Sequence, residues 1–78
     1  MTESAKDLSY TSHVGQDLRE VNLSGADLRR AIFDGADLEG ANLSGSDLRG
    51  ASLKRANLMK VALDGADLRG AKMIKARL

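Results

Sequence analysis

Cysteine, proline and tryptophan are absent from this 78-residue chain, and tyrosine, phenylalanine and histidine occur once each. Without cysteine there is no disulfide to staple a small domain and no thiolate for metal or nucleophilic chemistry. With two aromatic rings besides one imidazole, stacking on nucleic-acid bases has little to work with. No apolar run approaches the roughly 18 residues needed to span a membrane, and the polar opening Met1-Thr2-Glu3-Ser4-Ala5-Lys6 does not read as a secretory signal. A membrane role is therefore not expected, and a cytoplasmic location is. The net charge of +1 gives no strong overall field for a polyanion.

Against these absences stands one dense regularity. Large apolar residues recur every fifth position: Leu18, Leu23, Leu28, Phe33, Leu38, Leu43, Leu48, Leu53, Leu58, Leu63, Leu68, Met73 and Leu78. A helix turns about 100° per residue, so a five-residue step scatters such residues around its axis. A flat strand throws odd-spaced residues onto alternate faces. Only a chain that bends once per five residues returns each of them inward, and these 13 positions are the expected core of a solenoid.

The neighbouring positions agree. Two residues before the leucine slot, nine of 13 positions are Ala, which marks a second, small interior site. All eight glycines lie two residues after the slot, as expected of a recurrent corner that needs positive φ. The residue just before the leucine is usually Asp or Asn, and the one after is usually charged or polar. Each unit thus reads small-polar-Leu-polar-Gly.

In units such as Ala26-Asp27-Leu28-Arg29-Arg30, Ala36-Asp37-Leu38-Glu39-Gly40, Ala41-Asn42-Leu43-Ser44-Gly45 and Ala66-Asp67-Leu68-Arg69-Gly70 the chain resembles the pentapeptide-repeat family, whose motif is A(D/N)LXX. The resemblance covers residues 16–78. It implies an all-β fold, a right-handed quadrilateral parallel β-helix with four units per coil. The sequence supports the four: residues 16–35 share 10 of 20 positions with 36–55, and 36–55 share 9 with 56–75. About three coils are then expected. The units at 31–35 and 71–75 keep the interior residues but lose the Asp/Asn.

Residues 1–15 break the pattern, with Lys6 and Thr11 in small-residue slots and His13 in a leucine slot. They are expected to form a flexible tail over 1–5 and an irregular cap over 6–15, with Leu8, Tyr10 and Val14 shielding Leu18. His13 has no partner set for a triad or a metal site and reads as a cap or surface residue. The repeated Asp27, Asp47 and Asp67 stack carboxylates that could hold a cation, but Arg29, Arg49 and Arg69 flank them, so a ladder of ion pairs is the expected arrangement.

No nucleophile–base pair, phosphate loop or metal cluster is discernible, so no enzyme activity and no cofactor are expected. Charge is polarised along the chain, −3 over residues 16–50 and +5 over 51–78, the latter including Lys54 and Arg55. Arg29, Arg49, Arg69, Lys60, Lys72, Lys75 and Arg77 form the candidate interaction surface. The expected function is a non-catalytic structural or protein-interaction solenoid. Resemblance adds a first alternative, interaction with DNA gyrase or topoisomerase of the quinolone-resistance type, which imitates acidic duplex DNA. Weak nucleic-acid binding through the basic late coil is the second. The in-phase Leu63, Leu68, Met73 and Leu78 also predict an uncovered C-terminal edge and a homodimer through it, as the resemblance implies.

Overall fold

A computed structural model describes residues 6–78, and the expected flexible tail at 1–5 lies outside them. Each five-residue unit contributes one short β-bridge followed by a tight turn. The bridges join residues 20 apart in parallel, from Asp7–Asp27 through Asp27–Asp47 and Asp47–Asp67 to Asn57–Arg77. Four units therefore close one coil, and the fold is a right-handed quadrilateral β-helix.

The corner geometry explains the glycine phase. Every fifth residue from Tyr10 to Lys75 has positive φ, between 57° and 74°, the position that a type II turn reserves for glycine. The turn closes with a backbone bond from the small residue of the next unit to the preceding leucine carbonyl, as in Ala26 N–H to Leu23 C=O at 3.1 Å. At Gly45, with φ of 68°, an alanine Cβ would meet no atom closer than 3.9 Å. The glycine requirement there is thus conformational rather than steric.

Between coils, the backbone bonds run in both directions. Leu28 N–H donates to Asp47 C=O at 2.8 Å, and Asp27 N–H donates to Lys6 C=O at 2.7 Å. Stacking places Ala and Leu side chains inside, where Leu28, Phe33, Leu38, Leu43, Leu48, Leu53 and Leu58 are all buried. Ser46, in a small-residue slot, is buried too and satisfies its hydroxyl on Leu43 C=O at 2.7 Å. Leu18, Leu63, Leu68 and Met73 pack against this cluster only in part. Leu78 departs from the expected core: it is 80% exposed.

The N-terminal expectation also needs correction. Residues 6–15 are not an irregular cap; they form two regular units, with Asp7 bridged to Asp27 and Ser12 to Ile32. Backbone groups carry the lattice there, and side chains adapt to it. Thr11 bonds its hydroxyl to Leu8 C=O, as Ser46 does to Leu43. His13 fills a leucine slot by stacking on Phe33, with ring centroids 5.1 Å apart and planes 16° apart. Its ring nitrogens contact the Thr11 hydroxyl at 2.7 Å and the Gln16 side chain at 2.9 Å. Leu8 does pack against the core, but Tyr10 and Val14 point outward, 71% and 61% exposed, because they occupy turn positions.

The inside/outside division makes a direct prediction. Leu43→Lys buries an unpartnered charge in the middle of the stack and abolishes cooperative folding, since an isolated buried ammonium costs several kcal/mol. Ser44→Lys, on the neighbouring turn position, changes stability by no more than about 0.5 kcal/mol. Urea denaturation of the two variants measures both.

Candidate interaction surface

The 20-residue period sorts the outward side chains into four faces. Face 1 comprises 6–10, 26–30, 46–50 and 66–70; face 2 comprises 11–15, 31–35, 51–55 and 71–75. Face 3 comprises 16–20, 36–40, 56–60 and 76–78, and face 4 comprises 21–25, 41–45 and 61–65.

On face 1 the Asp residues do two jobs at once. One carboxylate oxygen of Asp27 accepts the backbone N–H of Arg29 at 3.2 Å, which fixes the start of the turn. The same carboxylate takes a bidentate grip from the Arg29 guanidinium, Nε to Oδ1 at 2.8 Å and Nη2 to Oδ2 at 2.7 Å. Asp47–Arg49 and Asp67–Arg69 repeat the arrangement, and Asp17–Arg19 does so on face 3. Longer contacts link coils, Arg49 to Asp67 at 3.9 Å and Arg19 to Asp37 at 3.8 Å. The ion-pair ladder is therefore a set of pairs within units, cross-tied weakly between coils.

The same backbone capping explains the Asp/Asn slot in general. Asn22, Asp37, Asn42 and Asn57 each accept the N–H two residues on, at 3.0 to 3.1 Å. Where the slot holds Ser52, Asp34 substitutes from the neighbouring coil, accepting the Ser52 hydroxyl and the Lys54 N–H. Sequence reasoning found the slot but not its purpose; the i, i+2 recurrence of Asp/Asn before a turn was the available signal.

Hydrogen bonds from the arginines hold the carboxyls of Asp17, Asp27 and Asp67 down to about 2, and shift that of Asp47 in the same direction. The guanidiniums are raised correspondingly. Among the described residues, no three His, Cys, Asp or Glu side chains gather to hold a metal ion.

The sequence-predicted interaction residues do not form one patch. Arg29, Arg49 and Arg69 share face 1 and are neutralised by their own aspartates. Lys72 and Lys75 belong to face 2, whereas Lys60 and Arg77 belong to face 3. Lys54 and Arg55 join Lys72 and Lys75 on face 2, and none of the four has a carboxylate partner among the described residues. Among the described residues, no helix is long and apolar enough to cross a membrane.

Comparison with known proteins agrees with this geometry. The profile for pentapeptide repeats matches in 8 copies, over residues 14–45 and 36–73. The chain belongs to the pentapeptide-repeat family. The crystal structure of the pentapeptide repeat protein Rfr23 from the cyanobacterium Cyanothece 51142 superimposes with a TM-score of 0.90 at 35% identity, covering 95% of this chain. The chain spans only about half of Rfr23, 51% of its length. A pentapeptide repeat protein of the Arabidopsis thaliana thylakoid lumen is 35% identical over 94% of this chain and 61% of its own, with a TM-score of 0.46. HetL, a pentapeptide repeat protein involved in heterocyst differentiation regulation in Nostoc sp. strain PCC 7120, is 40% identical over 92% of this chain and 38% of its own, also at 0.46. No curated protein matches the sequence.

The depressed carboxyl values set an acid-stability window. Asp17, Asp27 and Asp67 titrate lower in the folded chain, at about 2, than at their ordinary value of 3.8. The unfolded chain therefore binds more protons across that interval, and stability present above pH 3.8 declines as pH falls towards about 2. Asp27→Asn keeps the turn acceptor but removes the carboxylate, so the slope of stability against pH over this window becomes shallower while the fold persists. Asp27→Ala also lowers stability at neutral pH. Thermal melts from pH 2 to 7 separate the two contributions.

Proposed function

We propose that the chain is a non-catalytic solenoid that presents side chains to another protein. The observation that carries this reading is divergence: outward side chains leave four faces in different directions, and among the described residues no three His, Cys, Asp or Glu gather to hold a metal. The Asp–Arg pairs that do form saturate each other instead of poising an acid or a base. Imitation of acidic DNA finds no support in the surface, since the face 1 carboxylates are matched by arginines and face 2 is basic.

The test is a four-face scan with a photo-crosslinking amino acid in place of Arg49, Ser12, Met59 or Ser44, one variant per face, in a lysate of the native host. A product of one mass, competed away by excess unmodified chain, is expected from at least one face. Products that are absent from all four, or that untagged chain does not compete, overturn the reading.

We propose in addition that the last coil self-associates. Leu63, Leu68 and Met73 are only partly buried and Leu78 is 80% exposed beside an unpaired backbone edge. Sedimentation at micromolar concentration is expected to give a dimer that Leu78→Asp converts to a monomer. A monomer in both cases removes this proposal.

A further inference from the structure

Face 2 differs from the others in three independent ways. None of its four units has Asp or Asn in the slot before the leucine: Ser12, Ile32, Ser52 and Lys72 stand there. Its late units, 51–55 and 71–75, carry four cations and no carboxylate. Of the five exposed large hydrophobic side chains among the described residues, Val14, Ile32 and Ile74 lie on this face, and Tyr10 lies on the corner leading into it. Isolated exposed apolar residues need no explanation, but their collection on one of four faces does.

From this combination we infer that face 2, along its edge with face 3, is a docking groove for a short, extended, acidic protein segment flanked by apolar residues. This deepens the protein-interaction reading and rests on it. A groove of 490 Å³ runs here between Val14 and Ile74, past Gly35, with Lys54, Arg55 and Lys75 on its walls. Gly35 leaves the groove open, since no atom lies within 4 Å of where its Cβ would be.

The spacing defines the partner. Val14 and Ile74 occupy equivalent positions three coils apart, about 14 Å at the usual strand spacing of ~4.8 Å. An extended peptide rises about 3.3 Å per residue, so apolar side chains at i and i+4 match the two ends and point the same way. Residues between them pass Lys54 and Arg55, which favours Glu or Asp there. Asp34 keeps its negative charge on this wall, but it is outnumbered by Lys54, Arg55 and Lys75, and its carboxylate is turned to the Ser52 hydroxyl and the Lys54 N–H. On face 1, by contrast, Arg29, Arg49 and Arg69, at the turn position equivalent to Lys54, are each held by their own aspartate, while Arg30 at the corner has no such partner among the described residues. The unpaired cations of face 2 are free to meet carboxylates from outside. Nucleic acid fits less well, since the groove offers aliphatic ends and no ring to stack on a base.

The experiment is a nitrogen-15 NMR titration of the whole chain with a capped Val-Glu-Glu-Glu-Val peptide. Saturable shifts are expected at Val14, Lys54, Arg55, Ile74 and Lys75, with a Kd in the millimolar range or tighter. Lys54→Glu with Lys75→Glu should weaken binding at least tenfold while the remaining spectrum stays that of the folded chain. Ile74→Ser should weaken it severalfold, and Val-Lys-Lys-Lys-Val should not bind. Absence of localised shifts, shifts centred on another face, equal binding of a Ser-Glu-Glu-Glu-Ser peptide, or tighter binding of single-stranded DNA at these residues each overturns the assignment. If the peptide fails while crosslinks form from faces 1, 3 or 4, the groove is wrong and the interaction reading stands.

Discussion

The left-handed corner at every fifth residue is the constraint on which the molecule depends. A chain that turns at this interval puts two side chains per unit inside and returns to its starting side after 20 residues. Parallel bridges between identical positions then follow without further instruction. Of the 14 corners among the described residues, eight are glycine and six are Tyr10, Glu20, Arg30, Arg55, Lys60 and Lys75. A non-glycine residue costs roughly 1–2 kcal/mol in this conformation. At four of the six, Tyr10, Glu20, Arg30 and Arg55, the corner amide is tied to the next coil, whereas Lys60 and Lys75 have no such bond among the described residues. Arg30 N–H donates to Arg49 C=O at 2.9 Å and Arg55 N–H to Ile74 C=O at 2.9 Å, so the coil above over-determines the turn below.

That distinction between backbone and side-chain information decides what the sequence could reveal. The five-residue leucine series and the Asp–Arg repeat every 20 residues are read directly from residue identity, and coil and ion pairs correspond to them. Residues 6–15 were misread because Lys6, Thr11 and His13 violate the side-chain rule, while the backbone ladder through Leu8 and His13 obeys the structural one. An imidazole stacked on Phe33 and a threonine hydroxyl bonded to Leu8 satisfy the interior by other chemistry. Neither substitution has a signal in the periodicity. The interaction surface was obscured for a different reason: Lys54, Arg55, Lys60, Arg69, Lys72, Lys75 and Arg77 look like one basic tail until the coil period separates them onto three faces.

The solenoid also allocates its surface unevenly. Face 4 carries Asn22, Asn42, Ser24, Ser44 and three glycines, with Asp64 its only charged residue. On face 1 Arg29, Arg49 and Arg69 are matched by their own aspartates, and Arg30 has no such match among the described residues. Face 3 mixes Asp17, Glu20, Asp37 and Glu39 with Arg19, Lys60 and Arg77. Unmatched charge and exposed aliphatic surface coincide on face 2, where the Asp/Asn caps are missing from their usual slot. Losing the cap has a local consequence that Asp34 offsets for Lys54 from the adjoining coil. Ser52 in that slot is therefore compatible with the turn, and the missing Asp/Asn leaves the late units of this face without carboxylates that would neutralise their lysines.

A rod of this kind separates the problem of folding from the problem of recognition. Inward positions are nearly invariant in type, since one slot takes Ala and the other Leu, and their burial supplies the core. Outward positions enter the fold chiefly through the capping oxygen, so the rest of their chemistry can vary with little effect on the coil. Rigidity follows from the backbone bonds that tie each coil to the next, and it fixes the axial spacing of outward groups at about 4.8 Å. An extended ligand strand laid along the axis has a different rise, about 3.3 Å, so residue-by-residue matching fails and only particular spacings coincide. Three coils against four residues is one such coincidence. On this surface it falls between the aliphatic ends at Val14 and Ile74, with unpaired cations between them.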